Sequence, residues 1–221
     1  MRLSRQCAAE AIGTFILVFT GTGAVMFGDI SVGQVTPLGI GLVFGLVVMA
    51  LIYTLGDISG AHINPAVTLG FWASGQFKAK QVAPYILSQC SGGVLASLLL
   101  RVLFGNHANM GATIPKEGLI YQCLILEIIL TFILMFVILN VATGAKEKGI
   151  VVGIVVGGVI ALEAIFAGPI SGASMNPARS LGPAIASMNF TGFWIYLLAP
   201  PLGALLAVPA WRWIRLAKRD L

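Results

Sequence analysis

The chain is 221 residues long, 58% hydrophobic and only 10% charged, with a mean hydropathy of +0.97. Soluble domains carry about 25% charged side chains, so this composition excludes a protein wetted on all sides and makes a lipid bilayer the expected solvent. The net charge of +5 is no nucleic-acid signature, because most of the basic residues gather in short clusters beside apolar stretches.

Apolar runs long enough to cross a bilayer fall at roughly 7–28, 37–56, 81–102, 119–141, 149–167 and 191–211. The first is long, contains Glu10 and has no clear cleavage site after it, so it reads as a retained span and not a signal peptide. The basic clusters are Arg2 and Arg5; Lys78 and Lys80; Lys146 and Lys148; and Arg212, Arg215, Lys218 and Arg219. They lie before span one and after spans two, four and six. With both termini in the cytoplasm all four clusters face that side, and the loop assigned to the outside holds only Arg101 and Lys116.

Two apolar segments remain, Asn64–Trp72 and Asn176–Ile185, each too short to span. Both begin Asn-Pro-Ala. Asparagine caps a helix and proline suits its first turn, so both read as half-helices re-entering the membrane from opposite sides. The surrounding sequence repeats as well. Ser59-Gly-Ala-His-Ile-Asn-Pro-Ala-Val-Thr-Leu-Gly70 matches Ser171-Gly-Ala-Ser-Met-Asn-Pro-Ala-Arg-Ser-Leu-Gly182. Gly41, Gly45 and Gly56 pair with Gly153, Gly157 and Gly168, and Glu10, Thr14 and Leu17 pair with Glu127, Thr131 and Leu134. Tyr85 and Gly92 stand against Tyr196 and Gly203. Three spans per half is an odd number, so the second half is inverted. The expected fold is an all-α membrane protein of six transmembrane helices and two re-entrant half-helices. It forms a single channel domain over 1–221, with inverted repeats of approximately 1–115 and 116–221.

Inverted repeats of this kind place functional sites near the midplane, where interrupted helices point their N-terminal ends at the substrate. The pore residues expected there are Asn64, Pro65 and Ala66 with Asn176, Pro177 and Ala178. Each asparagine oxygen can cap its own half-helix, which leaves the NH2 to donate into a path. Two positive helix ends then repel cations, while neutral molecules meet no such barrier.

Through Ser-Gly-Ala-His-Ile-Asn-Pro-Ala-Val-Thr and Ser-Gly-Ala-Ser-Met-Asn-Pro-Ala-Arg-Ser the chain resembles the aquaporin, or major intrinsic protein, family from end to end. The stretch 168–184 and Trp194-Ile-Tyr-Leu-Leu look closest to nodulin-like intrinsic proteins of plants, with a likeness to bacterial water channels beside it. The resemblance implies a homotetramer with one pore per subunit, passing water and small neutral solutes. It also implies an outer selectivity filter, which by spacing from the two motifs is Phe44, Ala164, Ala173 and Arg179. Water-selective members typically hold histidine where this chain has Ala164, and nodulin-like members usually hold tryptophan where it has Phe44. Ser180 and Ala184 look like water-channel usage and Leu197 like glycerol-channel usage.

Glu10 and Glu127 are expected to buttress the re-entrant loops by accepting from backbone N–H groups, and His62 to brace the first of those loops. The alternative, a proton-coupled small-solute transporter, uses Glu10 and Glu127 as relays. Glu163 lacks a repeat counterpart, and the sequence leaves it at either the outer vestibule or a subunit contact. Cys7, Cys90 and Cys123, an odd and scattered set, read as buried thiols and not a disulfide framework. No nucleophile–base pair or metal-ligand spacing is present, so neither an enzyme nor a bound metal or cofactor is expected, and no nucleic-acid partner. Short tails suggest a prokaryotic plasma membrane.

Overall fold

A computed structural model describes residues 2–142 and 146–216 of the chain. The side chains of Lys146 and Lys148, and the whole of Lys218 and Arg219, lie outside the described residues. The helices are α1 (Leu3–Ile30), α2 (Pro37–Ser59), α3 (Pro65–Ala73), α4 (Ala79–Phe104), α5 (Ile120–Ala142), α6 (Lys146–Ser171), α7 (Pro177–Ser187) and α8 (Phe193–Leu216). Six of them are long and apolar enough to cross a bilayer: α1, α2, α4, α5, α6 from Val151, and α8. The 9 residues of α3 and 11 of α7 are not, since a helix rises only about 1.5 Å per residue.

Local chemistry sets the boundaries. Thr36 Oγ1 accepts from Gly39 N at 3.3 Å and Pro37 opens α2. The sequence reading ends the second and fifth spans near Gly56 and Gly168, yet both helices run through these glycines to Ser59 and Ser171. They stop one residue later, at Gly60 and Gly172, which take φ of 88° and 82°. The stop signal is the second glycine because the chain must there turn into a non-helical loop.

Without a hydrophobic drive between helices in lipid, close backbone approach holds the bundle together. A Cβ on Gly92 would sit 2.1 Å from Ala11 O, fixing α4 against α1. In the other half, a Cβ on Gly203 would sit 2.3 Å from Ile128 O, fixing α8 against α5. Across the halves α2 meets α6, where Gly45 and Gly157 each leave room for the other's carbonyl. These contacts surround α3 and α7 with spans and bring the two Asn-Pro ends inside the bundle.

Candidate functional site

The two loops that lead into the half-helices share one irregular conformation. Ala61 and Ile63 take φ of 48° and 44°, and Ala173 and Met175 take 41° and 52°. Left-handed backbone at alanine, isoleucine and methionine is strained, and irregular backbone at membrane depth must be satisfied by protein or a water-lined cavity. A buried glutamate does this in each half. Glu10 Oε1 accepts from Ser59 Oγ at 2.7 Å and His62 N at 2.9 Å; its Oε2 accepts from Ile63 N at 2.6 Å and Gln89 Nε2 at 2.8 Å. Glu127 Oε1 accepts from Ser171 Oγ at 2.7 Å and Ser174 N at 2.8 Å, and Oε2 from Met175 N at 2.9 Å. Tyr85 and Tyr196 complete the frame by donating to Ser59 O at 2.9 Å and Ser171 O at 2.6 Å.

The asparagines meet where these loops end. Asn64 Oδ1 accepts from Ala66 N at 2.8 Å, and Asn176 Oδ1 from Ala178 N at 3.0 Å and Arg179 N at 3.3 Å. The sequence reading left each NH2 wholly free, but each spends one hydrogen on the opposite loop. Asn64 Nδ2 donates to Met175 O at 2.8 Å and Asn176 Nδ2 to Ile63 O at 2.9 Å. That cross-bracing locks the two half-helix ends to one another and leaves one N–H per asparagine to donate elsewhere.

Three cavities with shared walls run through the bundle at this point. The central one, about 30 Å³, is lined by Asn64 and Asn176 with Leu17, Val48, Leu134 and Ile160. These are repeat partners: Leu17 with Leu134, Val48 with Ile160, Asn64 with Asn176. All six also line a second cavity of about 80 Å³, together with Ile52, Ala61, His62, Val67 and Val156. On its other side the central cavity shares Phe44, Ala164 and Arg179 with a third, of about 340 Å³. The repeat equivalents of Phe44, Ala164, Ala173 and Arg179 are Val156, Ile52, Ala61 and Val67, and all four line the opposite, second cavity. Equivalent positions thus lie at opposite ends, as an inverted repeat requires.

The structure brings Phe44, Ala164 and Arg179 together between the central and the third cavity, and Ala173 lines the central one beside them. The Arg179 guanidinium lies 5.0 Å from the centroid of the Phe44 ring and donates through Nη1 to Gly111 O at 2.9 Å. Gly111 ends a turn, Ala108–Gly111, whose four residues all have positive φ. Met110 anchors this turn in a small core with Met26, Leu100 and Ala186. Beneath α7, Ser180 Oγ pairs with Ser174 Oγ and accepts from Thr113 Oγ1 at 2.8 Å.

His62 is locked on several sides. Its Nδ1 lies 3.1 Å from Thr68 Oγ1, and its ring stacks on Phe71 at 4.7 Å and meets Phe77 at 4.8 Å. Glu163 falls in neither place the sequence left open. It is fully buried inside the bundle, and among the described residues neither carboxyl oxygen has a hydrogen-bond partner. Leu197 is 44% exposed on α8. All three cysteines are free thiols, but only Cys123 is buried, Cys7 and Cys90 being half-buried. Arg101, assigned by sequence to a loop, lies in the last turn of α4 and donates to Ala186 O. Sequence reasoning missed Gln89, which donates to both Glu10 and Thr68. Gln89 stands on α4, where the repeat offers only Pro200 as its equivalent, so no pattern singles it out.

Six membrane-crossing helices enclosing two half-helices, whose capped ends meet along a row of cavities, define a membrane channel. The chain belongs to the major intrinsic protein family, whose model matches residues 1–211. It is 47% identical over 218 residues to aquaporin NIP1-1 of Zea mays, an alignment covering 98% of this chain and 77% of the relative. It is 43% identical to nodulin-26 of Glycine max, again over 98% of this chain, and over 80% of the relative. The X-ray structure of the aquaglyceroporin from Plasmodium falciparum matches with a TM-score of 0.85 at 26% identity, covering 94% of this chain and 95% of that one. The chain is an integral membrane channel for water and small uncharged solutes, and not an enzyme. The plant origin of these curated relatives lends no support to a prokaryotic membrane.

Proposed function

We propose that each subunit conducts water and glycerol-sized neutral solutes in single file past Asn64 and Asn176, while excluding protons and ions. The pairing of these two amides in a chamber whose facing walls are the aliphatic Leu17, Val48, Leu134 and Ile160 carries the proposal. A water oxygen there would accept the remaining N–H of each asparagine. With both lone pairs engaged it cannot accept a proton from its neighbour. The converging α3 and α7 N-termini add a positive potential equivalent to about half a charge each, which a cation stripped of its hydration cannot afford.

In this proposal Pro65, Ala66, Pro177 and Ala178 form the half-helix starts, and Phe44, Ala164, Ala173 and Arg179 form the filter on the outer side. Glu10, Glu127 and His62 brace the loops. The donors saturating Glu10 argue against the transporter alternative, since a carboxylate with two donors on each oxygen is poorly placed to relay a proton. The whole chain acts as one channel domain whose halves divide near residue 115. Both termini face the cytoplasm, a placement favoured by Arg2, Arg5, Lys78, Lys80, Arg212 and Arg215. The path runs within one subunit, which suits the homotetramer of independent pores that the family resemblance implies.

Stopped-flow light scattering on proteoliposomes is expected to give rapid water flux, measurable glycerol flux and no proton leak above protein-free vesicles loaded with a pH-sensitive dye. A proton leak comparable to water flux would remove the mechanism. Arg179→Val should raise cation leak about tenfold or more while changing water flux far less, because a unit charge at close range in a poorly screened site opposes cations by several kcal/mol. Unaltered cation exclusion in that variant would take Arg179 out of the filter.

A further inference from the structure

We infer that Gly21, on α1, is a specificity-determining positioning residue: it forms the seat that lets the Phe44 ring lie back from the path. This rests on the proposed filter. The Phe44 ring is laid flat on bare α1 backbone, for a Cβ on Gly21 would fall 2.1 Å from Phe44 Cε1, 2.4 Å from Cζ and 2.6 Å from Cδ1. No carbon tolerates such distances, and a buried aromatic ring has no flexible tip to turn aside. Arg179 stands close to the same ring, its guanidinium 5.0 Å from the centroid, and Ala164 shares the same walls. Pushed off α1, the ring moves into the opening it borders.

The inverted half supplies an independent observation. Phe44 corresponds to Val156, and the offset that pairs Leu17 with Leu134 pairs Gly21 with Ile138. Val156 and Ile138 both line the cavity at the other end of the path. At one end a large ring lies against a position with no side chain; at the other a small side chain and a large one line the same cavity. The two positions trade volume as a unit, so the residue on α1 sets how far its partner reaches into the path.

Gly21→Ala, reconstituted in amounts matched by quantitative blotting, is expected to lower the glycerol-to-water permeability ratio about tenfold, the scale of a pocket altered by one methyl group. Phe44→Val should raise the ratio, and Gly21→Ala/Phe44→Val should match Phe44→Val within about twofold, since the added methyl then has no ring to displace. An unchanged ratio in Gly21→Ala overturns the inference, as does a tenfold fall between Phe44→Val and the double variant. The last comparison stands even if Gly21→Ala alone fails to insert. An unchanged ratio in Phe44→Val would instead overturn the filter itself.

Discussion

Glu10→Ala is expected to destabilise the folded channel by about 4 kcal/mol or more, because each buried donor left without a partner costs about 1–3 kcal/mol. Four donors lose their acceptor at once: Ser59 Oγ, the backbone N–H groups of His62 and Ile63, and Gln89 Nε2. The loop they hold contains Ala61 and Ile63 in the left-handed region, so its strain would no longer be opposed. Glu127→Ala should cost less, since three donors are lost there and no glutamine takes part. Glu10→Gln keeps the shape but points an amide donor at groups that are themselves donors, and should fall between wild type and Glu10→Ala. Thermal unfolding in detergent, followed by the fraction remaining monodisperse, ranks the three variants. A wild-type melting temperature for Glu10→Ala would mean that the carboxylate does not hold the loop. A relay residue would give the opposite pattern, with stability intact and a proton-dependent uptake lost.

The sequence makes the half-helices and their asparagines legible because helix capping is local: Asn and Pro act within two or three residues of their own helix start. The repeat then supplies what locality cannot. Matching Glu10 to Glu127 and Phe44 to Val156 depends only on counting, and the cavity walls follow the same offsets. What escapes are the interactions in which the halves differ. Gln89 bonds Glu10 through α4, and the carbonyl of Gly111 receives Arg179 from a turn that lies outside the matched repeat positions. A backbone carbonyl leaves no mark in a sequence. Glu163 escapes for another reason: a charge-bearing residue in an apolar span points toward polar surroundings on general grounds, yet here it is buried with no partner among the described residues. The helix ends are legible to within about five residues, and at α2 and α6 two glycines compete and only the loop beyond decides between them.

The pseudo-symmetry of the path also explains why selectivity is expected at one end. Part of the central chamber's wall is symmetric, Leu17 matching Leu134, Val48 matching Ile160 and Asn64 matching Asn176. Any discrimination made there acts on a solute entering from either side. Beyond it, one end has Phe44, Ala164 and Arg179, the other Val156, Ile52 and Val67. Only the first set offers a ring face and a charged donor at once. The inner set is apolar and can restrict by size alone. In the proposed filter a solute is expected to be distinguished chemically where Arg179 and Phe44 face each other, and the remaining variable at that point is the residue beside them.

That residue is Ala164, and Ala164→His is expected to slow glycerol about tenfold or more while water continues to pass. Ala164 borders both the third cavity and the central one, together with Phe44 and Arg179. Its methyl group neither narrows the opening nor offers a hydrogen bond. An imidazole does both, and the family resemblance places histidine here in water-selective members. In the proposed filter glycerol is expected to turn its carbon backbone toward Phe44 while its hydroxyls reach Arg179, so bulk opposite the ring would remove the room it needs. Water needs no such room and gains a donor. Volume changes in a pocket discriminate by about 1–3 kcal/mol, which sets the expectation at a strong reduction short of exclusion. The measurement is the glycerol-to-water permeability ratio in proteoliposomes holding equal amounts of each protein. If the wild type already excludes glycerol, or if Ala164→His leaves the ratio where it was, the opening is not set at this position and the chain is a strict water channel.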